Sequence, residues 1–437
     1  MNNTVGWPAR IARFTCGLGA FAAVALAGCG GGSGTSTTVI PNSFPNAGIV
    51  IGQRDFSSFL ANQGGAADAN TLGNVYSSVA VDAGGTTLFV PDYSNSRVLG
   101  FAPIPTGNDP TANLVLGQAD FTHTAPGSGP TQLANPGKVS VGDGGQLVVA
   151  DTRNNRILIW SALPTSVNQQ ADLVVGPAVG SATANLSGPL AAMIANGQLF
   201  VADTGNNRVL IWNTYTTAAT PVDPDFVIGQ PDKTHSDING GLNGPKGLTS
   251  PYPAAADTLN SPQDLWTDGF NLIVADTGNN RVLYYLNGFA PRTDLTIATT
   301  VNGFTAGTYS TLSATGVAGQ TNFTSITGQL GQTLMNAPTA VTSNGTTVAV
   351  ADSVNNRVLI FGNGLGKSSS AIPPTTIIGQ ENFNKSAAND DDQNGSQDNN
   401  PSQRTLNYPT GVFFSGDGTL YVTDSGNNRV LTFTSPY

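Results

Sequence analysis

A fourteen-residue pattern of apolar and polar positions recurs along the chain. In residues 199–212, LFVADTGNNRVLIW, an apolar run leads to Asp203, a polar turn follows, and Arg208 opens a second apolar run. Glycine and asparagine accept the positive φ that tight turns require, so the pattern predicts two short strands joined as a hairpin. A hairpin of this size cannot bury its own faces and therefore needs copies of itself. The other copies span residues 88–101, 147–160, 272–285, 348–361 and 420–433.

Two more apolar segments accompany most hairpins. A Leu-x-x-Pro-like approach and one strand precede the hairpin, as at 133–141 and 406–414. A short apolar run that ends in Gly-Gln follows it, as in LVLGQ at 114–118. Four antiparallel strands per repeat make the blade of a β-propeller. The six repeats therefore predict an all-β fold, a six-bladed β-propeller of four-stranded antiparallel blades.

The last repeat lacks the fourth strand of its blade. An unassigned copy of that strand, IVIGQ, lies at residues 49–53, where the repeat region begins. We expect this N-terminal strand to pair with residues 430–433 and to complete the sixth blade, because closing the ring removes two open sheet edges. The predicted domains are thus a leader at 1–28, a tether at 29–47 and the propeller at 48–437.

The six copies resemble the NHL repeat, the blade unit of a family of β-propellers. The resemblance rests on the recurring hairpins and covers nearly all of the chain after about residue 47. It implies the same fold that the strand count predicts.

An aspartate and an arginine recur in every hairpin, five positions apart. A carboxylate before a turn can accept hydrogen bonds from turn N–H groups, and the arginine can pair with it across the hairpin. Six equivalent pairs in a ring favour a structural role, since a single active site needs asymmetry. The pairs are Asp92 and Arg97, Asp151 and Arg156, Asp203 and Arg208, Asp276 and Arg281, Asp352 and Arg357, and Asp424 and Arg429.

The first 28 residues have the order of a secretion signal. Arg10 and Arg13 precede a small and apolar run that ends in Leu-Ala-Gly-Cys at 26–29, and this run is short for a membrane-spanning helix. The ending resembles the lipobox of bacterial lipoproteins, which implies that Cys29 is acylated and becomes the new N-terminus. A plain secretory signal and an uncleaved anchor are the alternatives. The glycines and small polar residues of 30–38 then form a flexible tether.

This leader predicts a lipid-anchored protein of the bacterial cell envelope, on the outer membrane or facing the periplasm. Gly30 stands where lipoproteins kept at the inner membrane often carry aspartate, so the resemblance favours the outer membrane if the cell has one. The formal charge of −10 argues against a nucleic-acid partner, which requires a basic patch. The lipid is therefore the only membrane contact that we expect.

The sequence contains two histidines, His123 and His235, each five residues after the glutamine of a Gly-Gln motif. Some NHL-like propellers are zinc lyases with several histidines around the channel, and other resembling enzymes use a histidine and a metal to open cyclic peptide antibiotics. Two histidines fall short of the usual three protein ligands of catalytic zinc, and their equal spacing indicates an inherited repeat feature. No G-x-S-x-G, H-E-x-x-H or P-loop pattern is present, so we assign no catalytic residue.

One acidic stretch indicates a cation site. Asp390, Asp392, Asn394 and Asp398, with a glycine after the asparagine, resemble the D-x-[DN]-x-[DN]-G calcium loop. Pro401 occupies the place of the bidentate glutamate, and no flanking helices are predicted. The alternative is a solvated acidic loop. Ca²⁺ is the only cofactor that the sequence indicates.

Long loops at one side of the ring indicate where a ligand binds. In a four-stranded blade, the hairpin turns and the connections between successive blades emerge on one side, here called the long-loop face. Two connections are long and polar, at 231–261 and 381–407, and such loops on a rigid scaffold often carry function. Residues that belong to or flank the first are His235, Lys246, Tyr252 and Trp266.

These observations favour a non-enzymatic scaffold that binds a protein, a peptide or a glycan through the long-loop face. The first alternative is a metal-assisted lyase or hydrolase with its site at the mouth of the propeller channel. A convergent cluster of carboxylates and histidines at that mouth would favour the enzyme. The second alternative is a purely structural envelope component.

Overall fold

The computed structural model describes residues 44–176, 185–213, 223–240, 252–286, 312–364 and 372–436. These residues form six four-stranded antiparallel sheets arranged in a ring, a six-bladed β-propeller. The predicted leader, Cys29 and the tether up to residue 43 lie outside the described residues. Among the residues that are described, no helix has the length and apolar character needed to cross a membrane.

The strands follow the repeat order of the sequence. The chain begins with β1 (Ile49–Ile51). Blade 1 contains β2 (Ala80–Val81), β3 (Leu88–Asp92), β4 (Arg97–Phe101) and β5 (Leu114–Leu116). Blade 2 contains β6 (Pro136–Val141), β7 (Leu147–Asp151), β8 (Arg156–Trp160) and β9 (Leu173–Val175). Blade 3 contains β10 (Ala191–Ala195), β11 (Gln198–Asp203), β12 (Arg208–Trp212) and β13 (Phe226–Ile228).

The second half of the ring repeats this arrangement. Blade 4 contains β14 (Pro262–Thr267), β15 (Leu272–Asp276), β16 (Arg281–Tyr285) and β17 (Gly316–Ala318). Blade 5 contains β18 (Pro338–Ser343), β19 (Val348–Asp352), β20 (Arg357–Phe361) and β21 (Thr376–Ile378). Blade 6 contains β22 (Pro409–Phe414), β23 (Thr419–Asp424), β24 (Arg429–Thr434) and, as its fourth strand, β1.

The N-terminal strand closes the ring. β1 pairs antiparallel with β24, with Ile49 opposite Thr432, Val50 opposite Leu431 and Ile51 opposite Val430. This confirms the closure expected from the missing fourth strand of the last repeat. Because the partner strands come from the two ends of the propeller, every blade is four-stranded.

The hydrophobic core lies between the blades. In one cluster, Ile51 and Val430 of blade 6 pack with Val79 and Leu99 of blade 1. Five further clusters each join two neighbouring blades in the same way. Sheets that stack face to face bury both of their faces, which explains the almost continuous apolar runs of the hairpin strands.

The Gly-Gln motif packs the end of the outer strand against the loop that leads to the next blade. Gly117 has a φ of +87°, and a Cβ placed on it would lie 2.5 Å from Leu133 Cδ1. Glycine is thus required both by the backbone angle and by contact with the leucine of the following Leu-x-x-Pro approach. The adjacent Gln118 donates hydrogen bonds from Nε2 to the carbonyl oxygens of Ser96, at 2.9 Å, and Ala125, at 3.0 Å.

Candidate functional site

All six aspartate–arginine pairs lie within hydrogen-bond distance. In blade 4, Arg281 Nε lies 2.7 Å from Asp276 Oδ2, and both side chains are fully buried. Asn279 Nδ2 donates to the same oxygen at 2.8 Å, and the Asn260 N–H donates to Asp276 Oδ1 at 2.7 Å. The other five pairs have Nε–Oδ2 distances of 2.7 to 2.8 Å. Burial raises the pKa of Asp276, and the neighbouring Arg281 opposes that rise.

The guanidinium end of these arginines joins successive long loops. Arg281 Nη2 donates to the carbonyl oxygens of Ala255 and Thr258, both at 2.9 Å, in the loop before blade 4. Its Nη1 donates to the carbonyl oxygen of Phe323 in the loop after that blade. Equivalent bridges between a preceding and a following loop are made by Arg97, Arg208, Arg357 and Arg429. The buried pairs thus hold the long-loop face together.

The turn asparagines connect neighbouring blades. Asn207 has a φ of 54°, in the left-handed region that asparagine tolerates. Its Oδ1 accepts a hydrogen bond from the Ser261 N–H at 2.8 Å, where β14 of the next blade begins. Asn206 instead donates from Nδ2 to Asp203 Oδ2 at 2.9 Å. These contacts hold the turn in place and tie it to the start of the next blade.

The two histidines occupy exposed turns. His123 Nδ1 lies 2.8 Å from Asp120 Oδ1, and His235 Nδ1 lies 2.8 Å from Asp232 Oδ1. Although burial opposes it, hydrogen bonding by the Thr234 and His235 side chains lowers the pKa of Asp232 to about 2. Within the described ranges, neither histidine belongs to a group of three or more potential metal ligands.

The acidic stretch folds into a compact loop. Single carboxylate oxygens of Asp390, Asp392 and Asp398 all lie within 4.8 Å of one another, and this is the one such group among the residues that the structure describes. The buried Asp390 accepts hydrogen bonds from the N–H groups of Asn394, at 3.0 Å, and Gly395, at 2.8 Å. The Asn394 side chain turns onto Asp392, with Nδ2 2.9 Å from Oδ2. Three of the four residues predicted as cation ligands therefore lie close together. The fourth, Asn394, uses its side-chain amide to hydrogen-bond within the turn.

The same loop contacts the segment that leads into β1, at Phe44 and Ala47. Arg404 Nε donates to Asp391 Oδ1 at 2.7 Å, and the guanidinium lies 4.7 Å from the centroid of the Phe44 ring. Gln403 makes two bonds with Ala47, since its carbonyl accepts from the Ala47 N–H and its Nε2 donates to the Ala47 carbonyl. Hydrogen bonds and a cation–π contact thus connect the acidic loop to the segment that precedes the closing strand β1.

A buried ion pair on the propeller axis was missed by the sequence reasoning. Lys138 Nζ, on β6, lies 2.8 Å from Asp264 Oδ1, on β14, and 2.7 Å from the Leu265 carbonyl oxygen. The side chains of Lys138 and Asp264 are only 5% and 1% exposed. Asp264 Oδ2 accepts from Ser78 Oγ at 3.3 Å and from the Val341 N–H at 3.1 Å. Residues of blades 1, 2, 4 and 5 therefore meet at one carboxylate.

A second polar contact crosses the axis. The Tyr76 hydroxyl of blade 1 donates to Gln263 Oε1 of blade 4 at 3.1 Å. Blades 1 and 4 are opposite members of a six-membered ring, so side chains that join them occupy its centre. Together with the contact of Ser78 to Asp264, this bond joins the inner strands of the opposite blades 1 and 4 across the centre of the ring.

Three tyrosines lie at the long-loop end of the adjacent blades 6 and 1. The rings of Tyr76 and Tyr93 have centroids 5.5 Å apart and planes tilted by 50°. Burial, and then the neighbouring phenol of Tyr408, raise the pKa of Tyr76 to about 12. The residue Tyr408 is 37% exposed. These three residues were not singled out from the sequence, although each departs from the repeat pattern.

Tyr252 and Trp266, the aromatic residues in or next to the first long loop, lie in different parts of the propeller. Trp266 lies near the far end of β14 and lines a cavity of about 160 Å³ with Asp268 and Ser343, at the hairpin ends opposite the long-loop face. Lys246 lies outside the described residues, whereas Tyr252 remains in the loop, where its N–H bonds to the Ile238 carbonyl. Trp266 flanks the first long loop in sequence, but its side chain lies at the opposite side of the ring.

The fold and the repeated pairs define a β-propeller assembled from sequence repeats. Two of its repeats, residues 133–160 and 406–433, match the model of the NHL repeat. No curated protein matches the chain.

Several solved propellers and related structures are similar in part. A nidogen/laminin complex has 14% identity and a TM-score of 0.37, with 70% of this chain and 84% of that chain covered. The WD40 β-propeller domain of Doa1 has 11% identity and a TM-score of 0.38, with 89% and 93% covered. The β-propeller domain of Cps50 (Swd1) from Myceliophteria thermophila has 12% identity and a TM-score of 0.43, with 82% and 96% covered. Such identities give no information on a ligand.

Proposed function

We propose that this protein is a binding scaffold of the bacterial cell envelope, anchored by a lipid on Cys29, and that it takes a protein, peptide or glycan on its long-loop face. The observation that carries the proposal is the arginine frame. Five arginines each tie the loops on both sides of a blade, so this face presents loops in a fixed arrangement. Preorganised loops lose little conformational entropy on binding.

Contacts across the axis support the same proposal. Tyr76 and Ser78 of blade 1 hydrogen-bond to Gln263 and Asp264 of the opposite blade, so the inner strands that carry the long loops are tied to one another. The long-loop face also carries exposed aliphatic residues on separate loops, among them Leu60, Ile238 and Ile326. Exposed apolar groups on rigid polar loops are typical of surfaces that bind other molecules.

Photo-crosslinking in intact cells tests which face binds. A photoreactive amino acid replaces Ile326, which is 46% exposed on the long-loop face, or Phe270, which is 44% exposed at the opposite hairpin ends. We expect discrete adducts from position 326 and none from position 270. Adducts from position 270 alone, or equally from both, would contradict the proposal.

Membrane fractionation tests the anchor separately. Replacement of Cys29 by serine removes the acylated thiol, and we expect the protein to leave the membrane fraction. A Cys29→Ser protein that remains in the membrane would show that something other than a lipid on this residue holds it there.

A further inference from the structure

Tyr408 occupies a backbone conformation that costs free energy. Its φ is +50°, and its N–H donates to Asn356 Oδ1 at 2.7 Å. Equivalent positions before the inner strands share this φ but carry smaller residues, namely Asn135, Gly188, Ser261 and Ala337. A bulky residue in the left-handed region is strained, and such strain persists mainly where a function retains it. Because Tyr408 is 37% exposed as a residue, filling the core does not explain its presence.

Tyr93 breaks the repeat in the neighbouring blade. It occupies the hairpin-turn position where the other repeats carry a small hydroxyl residue, namely Thr152, Thr204, Thr277, Ser353 and Ser425. Its ring packs on Tyr76, which reaches across the axis to Gln263. Tyr76 and Tyr93 are in ring contact, and Tyr408, at the start of the inner strand of blade 6, lies close enough to Tyr76 to raise its pKa. These three residues, where blades 6 and 1 meet, are called the tyrosine mouth below.

The loops that lead into the tyrosine mouth are acidic. Residues 381–407 precede Tyr408 and residues 52–75 precede Tyr76, and together they hold seven carboxylates against three cationic side chains. Arg404 pairs with Asp391, and Lys385 Nζ donates to the Gln393 carbonyl at 2.7 Å. With every charge counted, the two loops keep a net formal charge of −4. The surroundings therefore attract a positively charged group and repel an anionic one.

We propose that the tyrosine mouth binds a lysine- or arginine-bearing segment of a partner protein. Tyrosine rings attract cations through their π faces, and tyrosine supplies large contact area at a small cost in side-chain entropy. The flanking carboxylates steer the same charge toward the axis. This inference rests on the proposed scaffold function and specifies the chemistry of its partner.

Peptide binding to the full chain, purified in detergent, tests the inference. Labelled decapeptides that are rich in lysine and arginine, neutral, or rich in glutamate are titrated by fluorescence anisotropy at 0.15 M salt. We expect the basic peptide to bind, and Tyr408→Asn and Tyr93→Thr each to weaken it tenfold or more. Both substitutions install the residue that another blade carries at the same position, so the fold is retained. Melting of Tyr408→Asn is expected at or above the temperature of the unsubstituted protein, because asparagine relieves the strain.

Phe270→Asn is the matched control, since it removes an aromatic residue that is 44% exposed, against 37% for Tyr408, from the opposite side of the ring. We expect this control to keep the affinity for the basic peptide within twofold. The inference is overturned if the basic peptide does not bind, if Tyr408→Asn binds it as well as the unsubstituted protein, or if Phe270→Asn loses as much.

A glycan array separates this inference from the proposed function. Binding of a glycan or of the neutral peptide that Tyr408→Asn weakens would reject the cationic partner and leave the scaffold function standing. Failure of every probe, together with the absence of crosslinks from position 326, would reject both.

Discussion

Lys138 and Asp264 are 126 residues apart in the chain, and their charged atoms lie 2.8 Å apart on the propeller axis. The two residues belong to blades 2 and 4, so the lysine reaches past blade 3 to its partner. Ala191 occupies the equivalent position of blade 3, and a small residue there leaves space for the lysine side chain. The pair ties together inner strands that share no sheet.

Breaking this axial pair should destabilise the propeller. Lys138→Met leaves the Asp264 carboxylate buried without its cation, which we expect to cost about 3–5 kcal/mol in the free energy of unfolding. Urea denaturation measures the loss. The double variant Lys138→Met with Asp264→Leu is expected to recover most of it, because an apolar replacement leaves no buried charge. If Lys138→Met were as stable as the unsubstituted protein, the Lys138–Asp264 pair would contribute nothing to the free energy of unfolding.

Removing the closing strand should lower the melting temperature sharply. Deletion of residues 1–53 takes away β1, its pairing with β24 and the buried side chains of Val50 and Ile51. We expect a decrease of about 10 °C or more in scanning calorimetry, because two buried aliphatic residues alone contribute several kcal/mol. Deletion of residues 1–43 is the control and should melt like the full chain. Equal melting of the two deletions would refute closure by β1.

The buried arginine pairs should matter far more than an exposed arginine in a similar turn. Arg281→Met leaves Asp276 buried without its partner and should cost about 3–5 kcal/mol. Arg153 lies exposed in the hairpin turn of blade 2, and Arg153→Ala should change stability by about 0.5 kcal/mol or less. Chemical denaturation of both variants makes the comparison. Similar losses at both positions would argue against a framework role for the buried pairs.

The calcium expectation for the acidic loop stays a prediction with a direct test. A cation held by Asp390, Asp392 and Asp398 would stabilise the folded state in proportion to the logarithm of its concentration over the dissociation constant. We expect millimolar calcium to raise the melting temperature, a chelator to reverse the rise, and Asp392→Asn to abolish it. Asp417→Asn, outside the cluster, should keep the response. An unchanged response in the Asp392 variant would exclude this loop as the site.

One exposed turn should give a pH-dependent contribution to stability. Hydrogen bonds from the Ser57 and Ser58 hydroxyls lower the pKa of Asp55 below its ordinary value of 3.8. A carboxyl whose pKa is lower in the folded state stabilises the fold above about pH 4, and this contribution is lost as the pH falls through the lowered pKa. Asp55→Ala should therefore melt earlier than the unsubstituted protein at pH 7, with a difference that shrinks toward pH 2. A difference that persists unchanged at pH 2 would contradict this assignment.

The blade count and the ring closure could be predicted because they depend on local patterns. Strand, turn and strand follow each other within fourteen residues, and the unpaired copy at 49–53 identified its own partner by elimination. The convergence of Asp390, Asp392 and Asp398 was equally accessible, since one short loop contains all three.

The axial pair and the tyrosine mouth could not be predicted in the same way. Their geometry depends on which residue of each inner strand faces the axis and on how blades far apart in sequence are placed around it. The available signal was a break in the repeat. Lys138 and Asp264 are charged where Ala340 and Gly411 are small, and Tyr408 stands where other blades carry smaller residues at the same positive φ. A repeat-by-repeat alignment of these positions would have marked both features.

The pairing of β1 with β24 also imposes an order on folding. Val50 faces Leu431, so the strand synthesised first acquires its partner only after almost the whole chain has been made. Until then the first strand has no sheet to join, and the blades that are already formed make an open arc whose two end blades each expose an apolar sheet face. Contacts of such long sequence separation form slowly, and exposed apolar faces attract other chains. The ring is therefore most vulnerable to aggregation while it is being synthesised, and any factor that shields the waiting strand would act in that interval.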